Sequence, residues 1–300
     1  MSKNLPLVSV GIPVFNGINL IKRCVDSIIN QTYLNLEIII LDDFSQDGSY
    51  EFIIKQYSEN KKIKIIRNSR NIGLTENSSR LFRISKGKYF FWSAQDDYRK
   101  KNYIEECVKL MEENKNASLC NSHTVVFYKD PKQIMHVNNL NSINKEKNIV
   151  KRYWKLSRNY NDVNIYGFMR SSCLQNTNLW MPINGSANNL LFEMITLGEF
   201  IQIPKNLFYY SGKSMYERPS PKKEYERQSK VKKFFKYPFI ILLYNQVLSI
   251  VKKKISFQTK FLLIAVVLID SFLVNLGKFI FRILNIFLNE NKIPKIIINF

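Results

Sequence analysis

The chain has 300 residues, of which 45% are hydrophobic and 23% are charged, which is the composition of an ordinary globular protein. That composition excludes a largely disordered chain, a collagen and a small disulfide-stapled scaffold. The formal net charge is +21, and residues 201–300 carry 18 basic residues against 5 acidic ones. We therefore expect this region to meet a polyanion, either a nucleic acid or an anionic membrane surface.

The cysteines and the N-terminus bear on the cellular compartment. The four cysteines are widely spaced, without a C-x-x-C pair, so neither a zinc site nor a secreted disulfide framework is expected. A reducing, cytosolic location follows as the expectation. The short apolar run at residues 7–12 is broken by Pro13, so we expect no signal peptide and no spanning helix there.

Short apolar runs alternate with amphipathic stretches along the first hundred residues. The predicted strands are 7–12, 36–41, 62–66 and 89–92, and the predicted helices are 19–30, 47–58 and 75–85. Apolar strands separated by helices are typical of an α/β fold, with a mainly parallel sheet flanked by helices. Farther along we predict a strand and loop at 117–135, a mobile insertion at 136–165 and an apolar helix at 190–197.

Ligands of such sheets bind outside the carboxyl ends of the strands. Polar or acidic residues dominate three of the four groups that follow the predicted strands. Asp42 and Asp43 are poorly explained by packing, because burying a carboxylate without a partner is costly. They either contact a ligand or cap the next helix. Asp96 and Asp97 either cap a helix or hold a divalent cation that bridges a diphosphate.

The motifs VSVGIPVFNG, SIINQTYLNLEIIILDDFSQDGSYE and NIGLTENSSRLFRISKGKYFFWSAQDD resemble those of the family 2 glycosyltransferases. The match covers residues 7–97 in order and at the family's spacing, and it extends less closely to about residue 212. The resemblance implies a Rossmann-like GT-A fold and an enzyme of the type that builds bacterial cell-envelope polysaccharides.

The resemblance also implies the roles of individual residues. The positions that match nucleotide-binding residues are Pro13, Phe15, Asn16, Asp42, Asp43, Asn71 and Asp96. Asp97 matches the metal ligand, so Mg²⁺ or Mn²⁺ is expected as cofactor, although Gln95 replaces the first acid of the D-x-D motif. Arg170 is expected either to reach the diphosphate or acceptor, or to make a structural ion pair.

The sequence departs from the family at the position where the catalytic base is expected. Two later segments, YGFMRSSCL and NGSANNLLFEMITLGEF, resemble a bacterial subgroup, and in that register the family's acidic residue falls on Ala187. Three interpretations remain open: Glu193 supplies the catalytic carboxylate, the register is shifted, or the transferase is weak or inactive. Loss of a base is expected to slow transfer by roughly 10²–10⁴-fold.

The C-terminal part changes character. We expect a transferase domain at 1–215, a basic linker at 216–236 and an amphipathic helical region at 237–300. Between residues 271 and 289, polar residues recur at intervals of three or four, which indicates a polar stripe on a largely apolar helix. The region is expected to lie on the membrane surface, with two alternatives, a helix pair packed on the domain and a spanning helix.

The expected function is transfer of a sugar, with inversion and with a metal, from a nucleotide diphosphate donor such as a UDP-sugar to a glycan or lipid-linked acceptor. The expected location is peripheral, on the cytoplasmic face of an anionic membrane. One alternative is a catalytically degenerate, membrane-bound partner that binds nucleotide sugar. The charge alone suggests a nucleic-acid-binding protein as a second alternative. Because no recognised nucleic-acid-binding motif accompanies the charge, we expect no nucleic-acid partner. The missing G-x-G-x-x-G motif excludes a nicotinamide dehydrogenase.

Overall fold

The computed structural model describes residues 5–128, 130–138, 143–158, 162–181, 185–212 and 238–290. The chain divides into two compact units, Met1–Pro238 and Phe239–Phe300. The predicted basic linker, residues 216–236, lies outside the described residues.

The first part of the chain alternates strand and helix as predicted. Its elements are β1 (Val8–Val14), α1 (Ile21–Ile29), β2 (Leu36–Asp42), α2 (Ser49–Tyr57), β3 (Ile63–Arg67), α3 (Leu74–Arg83) and β4 (Tyr89–Trp92). The strands are rich in Val, Ile and aromatic residues, whose branched or flat side chains pack well on a pleated surface. The side chains of β1, β2 and β4 are almost all buried, including both faces of β1 and β2, as expected for a covered parallel sheet. Those of the edge strand β3 are partly buried or exposed.

The second part adds further strands and helices. They are β5 (Tyr98–Arg99), α4 (Tyr103–Glu113), β6 (Ala117–Tyr128), β7 (Asp130–Asn138), α5 (Ile149–Arg158), a 3-10 helix (Asp162–Tyr166), β8 (Phe168–Arg170), α6 (Ser171–Leu174), α7 (Ser186–Leu197) and β9 (Glu199–Ser211). The predicted apolar helix at 190–197 is confirmed by α7. The prediction of a mobile insertion at 136–165 is wrong for α5, because Tyr153 and Leu156 bury one face of this helix.

The nine strands of the described residues form one sheet, in the order β3-β2-β1-β4-β8-β6-β9-β5, with β7 paired to β6. Strands β3, β2, β1 and β4 are parallel, and so are β6 and β9. Strand β8 joins the two parallel groups through antiparallel pairings with β4 and β6. The predicted α/β fold, with a mainly parallel sheet flanked by helices, is confirmed.

The register of the first three strands brings their carboxyl ends level. Val14, the last residue of β1, pairs with Asp42, the last residue of β2. Asp42 in turn pairs with Arg67, the last residue of β3. The polar residues that follow these strands therefore meet at one edge of the sheet.

At the start of β4, a cluster around Glu112 of α4 joins helix and strand. The Glu112 carboxylate accepts hydrogen bonds from Lys88 Nζ at 2.5 Å and from the Tyr89 hydroxyl at 2.6 Å, and it pairs with Lys115. Burial acts to raise the pKa of Glu112, but these three hydrogen bonds outweigh burial and lower the pKa to about 2.

The second unit contains two helices, α8 (Pro238–Lys252) and α9 (Phe257–Glu290), which correspond to the predicted tail helices. On α9, Phe257, Phe261, Leu268 and Phe272 are exposed at spacings of four, seven and four residues, which places them on one face of the helix. Among the described helices, none is both long enough and apolar enough to cross a membrane.

We predict that Glu112→Gln destabilises the fold in a pH-dependent way. The folded-state pKa lies below the ordinary value of 4.5, so the carboxylate stabilises the fold above that pH and its contribution disappears as the pH falls toward 2. Thermal unfolding should show a constant difference from wild type above about pH 5.5 that shrinks below pH 4.5. Glu113→Gln, an exposed neighbour on α4, is the control, and equal pH profiles for all three proteins would contradict the prediction.

Candidate functional site

Side chains join the loops that follow β1, β2 and β4. The Gln95 amide bonds to the backbone of Phe15 in both directions, accepting from its N–H at 3.1 Å and donating to its carbonyl at 3.2 Å. The backbone N–H of Asn16 donates to Ser45 Oγ at 3.0 Å, and Asn16 Oδ1 accepts the N–H of Gln46 at 3.0 Å. These contacts bring Phe15 and Asn16, two of the residues predicted to bind the nucleotide, close to the loops that contain Asp42–Asp43 and Gln95–Asp97.

The loop after β1 is held in an unusual backbone conformation. Asn16 has a φ of 48°, in the left-handed region that Asn tolerates better than most residues. The next N–H groups are also bound: that of Gly17 donates to Ser49 Oγ at 2.8 Å and that of Ile18 to Asp47 at 3.1 Å. Burial acts to raise the pKa of Asp47, but hydrogen bonds from Ser49 and from backbone N–H groups lower it. The ring of Phe15 is left 46% exposed at the rim.

Asp43 is the centre of the hydrogen-bond network at this edge, although it is only 2% exposed. Its Oδ1 accepts Asn68 Nδ2 at 2.7 Å and the N–H of Ile72 at 2.8 Å, and its Oδ2 accepts the N–H of Gly73 at 2.8 Å. Gly73 is the N-cap residue of α3, so the carboxylate binds donors at the start of a helix about thirty residues away. Ionised carboxylates have about four acceptor positions, which leaves one for a ligand.

Asp42 has a different environment. Its Oδ2 accepts the N–H of Ser45 at 3.0 Å and forms an ion pair with Arg67 Nε at 3.4 Å. Arg67 lies over the rings of Phe44 and Tyr50, at 5.4 and 4.8 Å from the ring centroids. Asp42 therefore organises the loop after β2 by anchoring Arg67. Neither Asp42 nor Asp43 caps α2, whose first N–H is instead bound by Asp47.

Asp96 and Asp97 lie on the loop after β4, and both are largely or fully buried. Asp97 Oδ1 accepts the N–H of Ser211, the last residue of β9, at 2.9 Å. The carbonyl of Asp96 accepts Arg23 Nη2 at 2.6 Å. The buried Arg99 fixes the base of this loop by donating to Ser93 Oγ at 2.7 Å. The loop that carries Asp96 and Asp97 is thus supported from α1, from β5 and from β9.

The donor chemistry of this loop fits a hard divalent cation, because Asp96 and Asp97 offer carboxylate oxygens. No group of three His, Cys, Asp or Glu side chains that could hold a metal by itself occurs among the described residues. Mg²⁺ commonly binds to one or two carboxylates and completes its shell with substrate phosphates and water. The residues present therefore suit a cation that is shared with a diphosphate.

Two more predicted nucleotide residues lie at the same edge. Pro13 is half-buried in β1, opposite Leu41 of β2. Asn71 is exposed, and its Oδ1 accepts the N–H of Gly73 at 3.1 Å, so it shapes the turn that Asp43 binds.

Glu193 is buried in α7, with 2% of its surface exposed. Its Oε2 accepts the N–H of Asn178 at 2.7 Å, and its Oε1 accepts the side-chain amides of Asn178 and Asn189. Ala187, at the family's base position, lies in the first turn of the same helix. The base assignment of Glu193 stays a prediction, and its contacts favour a positioning role.

The structure does not bring Arg170 to the site. Arg170 pairs with Tyr89, the first residue of β4, at the end of the strand opposite Asp96 and Asp97. Its guanidinium donates to the carbonyls of Ala117, Met111 and Asn114 at 2.9–3.2 Å. The expectation of a diphosphate or acceptor contact is corrected: Arg170 ties α4 to β6 through backbone carbonyls.

Sequence reasoning assigned no role to several residues that build the site. They are Ser45, Arg67, Asn68, Gln95, Arg99 and Ser211, all of which support or join the loops described above. The strand-end position of Arg67 and Asn68 was the available signal. Arg99 and Ser211 gave no signal, because their partners are distant in the sequence.

The profile of the Glycosyl transferase family 2 domain matches residues 9–174, more than half of the chain. The chain belongs to this family. Curated relatives are a chondroitin synthase of Pasteurella multocida, 39% identical over 105 residues, and an uncharacterised glycosyltransferase of Haemophilus influenzae, 36% identical over 121 residues. The matched parts cover 35% and 40% of this chain, but only 11% and 38% of the relatives.

Solved structures match the fold of the chain. Staphylococcus aureus TarS in complex with UDP matches with a TM-score of 0.64 and 14% identity, over 87% of this chain and 70% of that chain. TarS in complex with UDP-GlcNAc matches with a TM-score of 0.62 and 15% identity, over 89% and 72%. At this identity the likeness shows the fold alone, which is the expected GT-A fold.

We predict that Arg170→Met lowers the free energy of unfolding by about 1–3 kcal/mol, because buried carbonyls of Ala117, Met111 and Asn114 lose their donor. Urea unfolding measures this change. Arg83→Met is the matched control, since Arg83 makes an exposed ion pair with Glu76 and such pairs contribute little. Equal unfolding midpoints for the two variants would contradict the structural role of Arg170.

Proposed function

We propose that this family 2 glycosyltransferase moves a sugar from a UDP-sugar to a hydroxyl group of a glycan or lipid-linked acceptor, with inversion and with a divalent cation. The observation that carries the proposal is the joined edge of the sheet, where Phe15 is hydrogen-bonded to Gln95 of the Asp97 loop and the backbone N–H of Asp43 donates to the carbonyl of Val14, next to Phe15. The sequence likeness to a chondroitin synthase and the fold likeness to UDP-bound TarS support a UDP-linked donor.

The nucleotide half of the donor suits the loops after β1, β2 and β3. Phe15 offers an exposed ring on which a base can pack. Asp43 has an acceptor position left for an N–H or O–H group, and its three protein donors hold it rigidly in place. Preorganised acceptors of this kind bind a ligand without having to be ordered at the moment of binding.

The diphosphate half suits the loop after β4. Asp97, with Asp96 beside it, would hold Mg²⁺ or Mn²⁺, and a bound cation neutralises charge on the diphosphate leaving group. Ser211 and Arg99 keep the loop in position. In the proposed transfer, an acceptor hydroxyl oxygen bonds to the anomeric carbon, the bond from that carbon to the diphosphate breaks, and the hydroxyl proton passes to a base.

The decisive experiment is a donor panel. Purified protein is incubated with UDP-glucose, UDP-galactose, UDP-GlcNAc and UDP-glucuronate, with and without Mn²⁺, and UDP release is measured in the presence of a lipid extract as acceptor. We expect turnover of one donor and a loss of about 100-fold or more in Asp97→Asn, because several kcal/mol of charge stabilisation disappear.

Nucleotide binding gives a second readout in the same experiment. We expect Asp43→Asn to weaken UDP binding by about tenfold or more, because a charged acceptor is replaced by an amide that also disturbs the turn at Gly73. Calorimetry measures this, with Arg170→Met as a destabilised control whose site is intact. UDP binding without turnover of any donor would favour the degenerate-partner alternative, which Ala187 motivates. Unchanged binding in Asp43→Asn would refute the site assignment.

The proposal includes a peripheral location on the cytoplasmic face of an anionic membrane. The exposed face of α9 formed by Phe257, Phe261, Leu268 and Phe272 supports it. A basic cluster lies at the end of α8, where Lys252 is the last residue of the helix and Lys253 and Lys254 follow it. Basic residues beside an apolar helix are attracted to anionic headgroups.

We predict that Phe261→Glu weakens binding to phosphatidylglycerol vesicles by about tenfold or more, because a buried Phe contributes about 1.5–3 kcal/mol. Vesicle flotation measures the bound fraction. Leu34→Glu, at an exposed apolar residue of the first unit, is the matched control and should float like wild type. If the wild-type chain stays with the soluble fraction, the membrane part of the proposal fails while the donor panel is unaffected.

A further inference from the structure

Residues 177–181, here called the Trp180 loop, are fixed by hydrogen bonds along their length. The N–H of Leu179 donates to Thr177 Oγ1 at 3.2 Å, and that of Met181 donates to Ser186 Oγ at 2.6 Å. Ser79 Oγ in α3 accepts the N–H of Trp180 at 3.2 Å and lies 3.1 Å from its carbonyl. A connecting segment is usually held far less completely than this.

The buried carboxylate of Glu193 in α7 holds the Trp180 loop through hydrogen bonds. It accepts both the backbone N–H and the side-chain amide of Asn178. Burying a carboxylate is costly unless it is hydrogen-bonded, and here two of its donors come from one residue of the loop. Glu193 therefore determines where Asn178, and with it Trp180, lies.

Leu179 is strained. Its φ is 55° and its side chain is buried, and a branched residue in the left-handed region is unusual. Such strain persists only where surrounding contacts enforce it, and it is concentrated at functional sites. In this loop the enforcing contacts are those of Asn178 and Trp180 on either side.

The enforced conformation places the Trp180 ring against Trp92. The two rings meet edge to face, with centroids 5.7 Å apart and an interplanar angle of 89°. Trp92 is the last residue of β4, so Trp180 lies at the same end of this strand as the Asp96–Asp97 loop. The ring of Trp180 is partly exposed, and no residue in the described part of the chain accepts a hydrogen bond from its buried indole N–H.

We propose that Trp180 is a sugar-contacting residue of the transferase and that Glu193 is the positioning residue that holds it. An indole ring suits a sugar because the ring packs on the apolar face of a pyranose and the N–H donates to a hydroxyl. A buried donor without an acceptor is destabilising, and a sugar hydroxyl that displaced the covering atoms would supply the acceptor. The loop lies beyond residue 174, where the family match ends.

This inference rests on the proposed function, because the sugar belongs either to the donor or to the acceptor. The test compares wild type, Trp180→Phe and Trp180→Ala for binding of UDP and of the four UDP-sugars of the donor panel, and for UDP release with and without the lipid extract. Trp180→Phe removes the N–H group together with the five-membered part of the indole but keeps a flat aromatic ring, and Trp180→Ala removes the aromatic ring entirely.

We expect UDP alone to bind all three proteins equally. A loss of about three- to tenfold in Trp180→Phe, and a larger loss in Trp180→Ala, is expected in one of two places. Weaker binding of the UDP-sugar identifies the donor sugar, whereas reduced release only in the presence of the extract identifies the acceptor sugar. Wild-type behaviour of both variants in both assays would overturn the inference. Failure of the proposed function is distinguishable, because the wild-type chain itself would then bind no UDP-sugar.

The role of Glu193 has its own readouts. Asn178→Ala removes one of the amides that bind Glu193, and it should reproduce the sugar-specific loss of Trp180→Phe. Asn176→Ala is the matched control, since Asn176 is exposed and its side-chain amide donates to the carbonyl of Ser172. Glu193→Gln should lower turnover with an unchanged shape of the pH–rate profile. Disappearance of the acidic limb of that profile would instead show that Glu193 is the catalytic base.

Discussion

The buried carboxylate of Asp43 is the interaction on which the rest of the site depends. A charge at this depth is tolerated only with donors around it, and here the donors come from Asn68, Ile72 and Gly73. The carboxylate thereby connects the end of β2 to the loop after β3 and to the start of α3. The same constraint that makes the residue costly to bury makes the edge of the sheet rigid.

The same principle recurs farther from the sheet. Glu193 is buried and bound by Asn178 and Asn189, and Asp97 is buried and bound by Ser211. Each carboxylate therefore fixes a segment that is remote in the sequence. Arg99 and Arg170 use the opposite charge in the same way. Each guanidinium is buried or half-buried and donates hydrogen bonds to backbone carbonyls. The loops of the proposed site are held mainly by such charged side chains rather than by apolar packing.

Much of the fold was predictable from local pattern. The four parallel strands and the three helices between them follow from apolar runs and helical spacing, and the ordered motifs placed Asp43 and Asp97 at the strand ends. The helix α5 was missed, because its Asn- and Lys-rich surroundings concealed a single buried face formed by Arg152, Tyr153 and Leu156. The position of Arg170 was missed because strand β8 runs antiparallel to β4. Its last residue therefore lies at the edge of the sheet opposite to the edge where β4 ends.

By itself, the sequence determined the strands and the acidic residues at the edge of the sheet proposed as the site, because these follow from patterns along the chain, and its ordered motifs gave the family by resemblance. Only the tertiary structure decided how deeply each acid is buried and which donors it binds. A carboxylate's role depends on its burial and on its donors. Asp43, Asp97 and Glu193 each bind at least one donor that lies between 15 and 114 residues away, a separation that no local pattern records.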